Sequence, residues 1–94
     1  MSKTKPYDSA DYLDTPEAVA EYLTAAFETA DAAFITKAVG TAARARGMTE
    51  VARQAGLSRE NLYRSLNGET KAEFDTILRV LDTLGIQLSA TPKT

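Results

Sequence analysis

The sequence predicts an all-α domain of about five helices, followed by one short C-terminal β-strand. Three observations predict it. Apolar residues recur at helical spacing in successive stretches from Val19 to Leu84. Helix-starting residues precede those stretches and Gly follows several of them. Strict apolar–polar alternation is found only near the end, in Ile86-Gln87-Leu88-Ser89-Ala90.

The 94 residues fit one domain. It divides into a partly extended opening (1–14), two N-terminal helices (15–47), a compact two-helix unit (48–68), and a last helix with its strand (69–94). Within the opening, Tyr7 to Leu13 suits a short helical turn that tucks Tyr12 and Leu13 onto the body. Thr15-Pro16 starts the first long helix, with Thr as N-cap and Pro at the first helical position. Val19, Tyr22, Leu23, Ala26, Phe27 and Ala30 form its apolar stripe, with Glu21 and Glu28 off it. Asp31 caps the second helix, whose apolar face is Phe34, Ile35, Ala38, Val39, Ala42 and Ala43. Gly40 in its middle either weakens the helix or marks close helix packing. Arg44, Arg46 and Gly47 end it as the helix dipole favours.

The stretch MTEVARQAGLSRENLYRSLNG, 48–68, organises the rest. Thr49 suits an N-cap, Val51, Ala52 and Ala55 an apolar side, and Gly56 a left-handed stop. Ser58 caps a second helix that buries Leu62 and Leu66, and Asn67-Gly68 closes it. A small residue at 52, Gly at 56 and an aliphatic at 62 match the helix-turn-helix spacing. The outward face of its second helix carries Arg59, Glu60, Asn61, Tyr63 and Arg64, and Arg and Asn side chains can read base edges. An ordinary αα-hairpin with a solvated charged face has the same residue types. In the last helix the stripe is Phe74, Ile77, Leu78, Leu81 and Leu84, stopped by Gly85. Val80 adds a second apolar face. The expected core is Val19, Leu23, Phe27, Phe34, Ile35, Val51, Ala52, Leu57, Leu62, Leu66, Ile77, Leu78 and Leu81.

Charge narrows the function. The chain is net −2, but unevenly. In 1–40, Lys3, Lys5 and Lys37 meet Asp8, Asp11, Asp14, Glu17, Glu21, Glu28 and Asp31, a net −4. In 41–72, Arg44, Arg46, Arg53, Arg59, Arg64 and Lys71 meet Glu50, Glu60 and Glu69, a net +3. From 73 on, Arg79 and Lys93 meet Glu73, Asp75 and Asp82, a net −1. A local basic face of this kind can bind phosphate on an acidic protein. With no Cys and no His, thiolate and imidazole chemistry are excluded, and no phosphate loop or compact acid pair is present. No enzyme, cofactor or metal site is expected. No apolar run suits a bilayer or a signal peptide, so the expectation is a cytoplasmic protein without a membrane partner.

On the helix-turn-helix reading, the chain binds operator DNA. The N-terminal half of the second helix, from Ser58, enters the major groove. Arg59 and Asn61 lie in its first turn, and Tyr63 and Arg64 one turn on. Thr49, Arg53 and Ser58 suit backbone contacts. Glu60 either accepts from cytosine N4 or repels other DNA. A homodimer doubles the site, with Val80 and the unpaired strand at 86–90 as the expected interface.

The opening YLDTPEAVAEYL, the centre ARARGMTEVARQAGLSRENLYRSLNGE and the ending FDTILRVLDTLGIQL together resemble the small antidote proteins of bacterial addiction modules. These are HigA-like antitoxins with a lambda-repressor-like helix-turn-helix. The resemblance implies a small basic toxin of the RelE/ParE type as partner, and repression of the shared operon. It also implies an acidic toxin-facing surface, expected at Asp11, Tyr12, Asp14, Glu17, Glu21 and Glu28. The loop ETKAEF departs from such antidotes, where Gly or Asn followed by Pro is common, and leaves open whether that loop meets DNA backbone. A stand-alone repressor without a toxin is the alternative.

Overall fold

The computed structural model describes residues 13–93, and they form five α-helices. These are α1 (Pro16–Glu28), α2 (Ala32–Arg46), α3 (Met48–Ala55), α4 (Arg59–Ser65) and α5 (Phe74–Thr83). The helical turn expected for Tyr7 to Leu13 lies outside the described residues except for Leu13, which is buried.

Local chemistry starts the helices as the residue types dictate. The Thr15 hydroxyl accepts from the Ala18 N–H at 3.1 Å, with Pro16 just inside α1. The Asp31 carboxylate accepts from the Phe34 N–H at the start of α2. Each such cap is worth about 1 kcal/mol. The α3 start differs from expectation. Gly47, not Thr49, occupies the N-cap position, and no side chain caps the helix. Gly47 at φ +119° turns the chain directly from α2 into α3, so the helix is under way one residue before Thr49.

α2 is the central element and packs against α1, α3 and α5, while α3 also packs against α4 and α5. Small residues make this possible. A Cβ at Gly40 would lie 2.8 Å from the Leu66 carbonyl oxygen, so the end of α4 rests directly on the α2 backbone. Ala38, Ala42 and Ala43 are buried beside it. The core centres on Leu23, Val39, Val51, Leu62, Val80, Leu81 and Leu84, all essentially inaccessible. Burying one such aliphatic stabilises by about 1.5–3 kcal/mol.

Most of the expected core residues are found there, with Phe27, Ile35, Leu57 and Ile77 half-buried at its margin. Two are not. Phe34 is 51% exposed because it sits in the first turn of α2, ahead of the buried stretch from Thr36 to Ala43. Leu78 is 41% exposed, whereas Val80, expected to face outward, is fully buried. α5 presents the Val80–Leu81–Leu84 side to α2 and α3, so its buried face is rotated away from Phe74 and Leu78.

The C-terminal strand is not formed. The chain leaves α5 through Gly85, at φ +74°, and the Ile86 N–H donates to the Leu81 carbonyl at 2.9 Å. Beyond that residues 87–93 form no regular secondary structure, and no other described segment is a strand with which they can pair. The tail runs beside α1, leaving a groove lined by Ala20, Leu23 and Phe27 on one side and Ile86, Ala90 and Pro92 on the other. Among the described residues, no helix is long and apolar enough to cross a membrane.

Candidate nucleic-acid interface

α3 and α4 are joined by Gly56, Leu57 and Ser58, and each has a physical role. Gly56 takes φ +75° and ψ +31°, the left-handed geometry that an L side chain resists. Its N–H points back to Arg53, and the Leu57 N–H donates to the Ala52 carbonyl at 2.9 Å, which closes α3. The Arg79 guanidinium on α5 donates to the Ala55 carbonyl at 3.3 Å and so holds that end of α3 from outside. Ser58 Oγ accepts from the Asn61 N–H at 3.0 Å and starts α4. Ala52 and Leu62 are both buried where the two helices cross, as the spacing requires.

With Leu62 and Leu66 fixed inward, the rest of α4 points outward. Arg59, Glu60, Asn61, Tyr63 and Arg64 are all exposed. They are organised into two pairs. The Arg59 guanidinium lies 5.4 Å from the centre of the Tyr63 ring and donates to its hydroxyl at 3.3 Å. A cation over an aromatic face at an exposed site is worth about 0.5–1 kcal/mol. The Arg64 guanidinium donates to the Asn61 side-chain carbonyl. Both pairs restrict long side chains without burying their charge.

The same ordering occurs on α3. Arg53 forms a two-pronged contact with Glu50, whose carboxylate also accepts from Gln54 Nε2 at 2.6 Å. The hydrogen bond from Arg53 holds the Glu50 carboxyl below its usual range and raises the guanidinium correspondingly. Arg53, expected to suit a DNA-backbone contact, is therefore already paired on its own helix.

Thr49, exposed in the first turn of α3, lines a shallow cleft with Arg44, Gly47, Met48, Glu50, Arg59 and Tyr63. Arg44 is the residue that the sequence reading misses. Its place at the end of α2 explains it as a helix-ending cation, and its membership of the basic stretch was the signal for more. The cleft combines two arginines, a hydroxyl and a helix N-terminus without a side-chain cap, a set suited to an anionic oxygen.

The acids expected on the other surface lie elsewhere. Asp14, Glu17, Glu21 and Glu28 are exposed on and just before α1. Asp11 and Tyr12 lie outside the described residues. The basic face of α3 and α4 and the acidic face of α1 therefore belong to different helices.

Residues 3–92 match the family model described as "Probable addiction module antidote protein". An uncharacterized protein of Haemophilus influenzae (strain ATCC 51907 / DSM 11121 / KW20 / Rd) is 37% identical over 83 residues, covering 88% of this chain and 86% of that protein. No solved structure gives a significant match. The match runs from the acidic opening through the α3–α4 unit to the tail, and on that coverage the chain belongs to the addiction module antidote family.

Proposed function

We propose that the chain is the antitoxin of a toxin–antitoxin module whose α3–α4 unit is a repressor-like helix-turn-helix that binds operator DNA and represses its own operon. The observation that carries this reading is the outward face of α4, where Arg59, Asn61, Tyr63 and Arg64 are exposed on a Ser-capped helix seated on α3. In this reading α4 enters the major groove from its N-terminal end. Arg59 and Arg64 grip guanine acceptors, and Asn61 reads adenine once Arg64 releases it. Thr49, Ser58 and Arg44 meet phosphates at the start of α3 and α4, and fix the register. Arg53 adds a phosphate contact by exchanging Glu50 for the DNA backbone. Glu60, exposed in the first turn of α4, either accepts from cytosine or disfavours other sequences.

A helix of this size reads few base pairs, so the DNA-binding species is a homodimer on two half-sites. The toxin is a small basic protein of the RelE/ParE type, and Asp14, Glu17, Glu21 and Glu28 supply the complementary charge. An antidote family implies a toxin partner, which disfavours a stand-alone repressor. Co-purification with the product of the neighbouring gene separates the two.

The test is fluorescence anisotropy on the DNA upstream of the chain's own gene. Arg59→Ala and Arg64→Ala each lower operator affinity by about 1–3 kcal/mol and relax sequence preference, while toxin binding survives. Unchanged operator binding by both variants at near-physiological salt would overturn the recognition-helix assignment.

A further inference from the structure

We propose that the groove between α1 and the C-terminal tail seats an extended, basic segment of the toxin, which pairs its backbone with residues 87–91 and sets its cations against the acids of α1. The backbone of the tail selects an extended occupant. Within the described residues, no backbone N–H or carbonyl from Gln87 to Lys93 is hydrogen-bonded to another backbone group, and the Ile86 N–H is the last that is. The side chains are nevertheless those of a strand, with Ile86, Leu88 and Ala90 alternating with Gln87 and Ser89. What the tail lacks is a second backbone, and an extended peptide supplies one by strand addition. A helix satisfies its own backbone, so a helix laid in the groove leaves these groups unpaired.

The groove is apolar between its two walls. Ala20 and Phe27 line the α1 side, and Ile86, Ala90 and Pro92 the tail side. Ala20 and Ala90 are exposed, and Phe27 and Ile86 half-buried, so the walls are open to a visiting side chain. Every second side chain of a bound strand points to such a floor, and the rest point away.

Charge selects the sign of the occupant. Glu17, Glu21, Thr24 and Glu28 follow at four-, three- and four-residue steps, which lines them up along one edge of α1. Thr24 and Glu28 line the groove itself, so this row of acids is its rim. All three glutamates are exposed, and α1 carries no Lys or Arg to offset them. Lys93 is the one cation lining the tail side. The chain's own opening brings Lys3 and Lys5 against Asp8 and Asp11, and the tail of a second copy brings only Lys93. A segment rich in Lys or Arg matches the rim better than either. This occupancy rests on the antitoxin reading, since it takes the product of the neighbouring gene as the partner.

The experiment is calorimetric titration of the full chain with that purified product, with amide hydrogen exchange on the complex. Amides between Gln87 and Thr91 exchange about tenfold more slowly in the complex. Ala20→Trp fills the groove and weakens binding about tenfold. Glu21→Lys with Glu28→Lys weakens it as far and flattens its salt dependence. Successive N–H groups of a strand point to opposite edges, so one of Ser89→Pro and Ala90→Pro removes a pairing donor and weakens binding about tenfold, whereas Ser89→Ala changes it little. These positions are exposed, so helicity and the unfolding midpoint stay near wild type. Wild-type binding that survives all of these substitutions overturns the groove and leaves the antitoxin reading standing. Tail amides that exchange as fast in the complex as alone do the same. A wild type that does not bind the product overturns the antitoxin reading and this seat with it. Tail amides protected in the dilute isolated chain, and released by deleting residues 1–12, assign the groove to the chain's own opening. Protection that grows with chain concentration, without partner, assigns it to a second copy. Either result overturns the proposal.

Discussion

At Gly40 a hydrogen atom decides how closely two helices approach. The Leu66 carbonyl oxygen and Cβ lie 2.8 and 3.2 Å from where a Cβ at position 40 would stand. A backbone oxygen cannot swing aside as a side-chain tip can. Gly40→Ala gains about 0.5–1 kcal/mol of helix propensity in α2, but it forces α4 outward, and such overpacking typically costs about 1–3 kcal/mol. The expected outcome is a net loss of stability, read as a lower urea midpoint with an unchanged m-value. A midpoint equal to wild type or higher would show that the α2–α4 contact has room to relax. This position was legible in the sequence, since Gly inside an otherwise helical stripe is costly without a packing reason. Thr49 was not. A threonine ahead of an apolar stripe reads as a cap, but Gly47 at φ +119° lets α3 begin earlier, and the turn between two abutting helices leaves no periodic signature.

At the scale of the element, the four start and stop signals that rest on side-chain chemistry were legible: Thr15, Asp31, Gly56 and Ser58 each do in the fold what their residue type suggests. The α5 face was misread because the six apolar residues from Phe74 to Leu84 span more of the helix surface than the core covers, and only packing against α2 and α3 decides which side is used. The C-terminal tail was misread for a related reason. Alternation describes which side chains face which way, but a strand also needs a second backbone. The α3 ion pair makes a prediction of its own. The folded-state carboxyl of Glu50 is held below its usual range by Arg53. The stabilisation is therefore fully present above the unfolded carboxylate range and is lost as pH falls through the folded value. Glu50→Gln should lower the unfolding midpoint slightly at neutral pH and low salt, and the gap from wild type should close in acid. Both groups are exposed, so added salt should shrink the gap as well. A gap independent of pH would mean that the glutamate acts through packing rather than charge.

Over the whole molecule, the charge balance differs between helices: acids dominate α1 and the residues before it, and arginines outnumber acids from the end of α2 through α3 and α4. This sorting was the clearest functional signal in the sequence, because it survives any error in helix boundaries. The pairings that then constrain the arginines, Arg59 with Tyr63 and Arg64 with Asn61, were not visible there, since they depend on which rotamers the finished surface permits.

The sorting also makes the protein behave as an electric dipole rather than as a weakly acidic sphere. A body with net charge −2 and a sequence pI near 5.0 should by its average ignore a sulfated matrix at neutral pH. A body with segregated faces instead turns to suit the surface it meets. At low ionic strength the chain should be retained both by heparin, through α3 and α4, and by a quaternary-amine resin, through α1. Replacing Glu17, Glu21 and Glu28 by Gln should abolish retention on the amine resin and leave the heparin elution position nearly unchanged. Elution from heparin in the void at low salt would show that the two faces do not act independently. The same turning places the acidic helix toward solvent whenever the arginines face a polyanion, so that one partner, once engaged, orients the molecule for the next.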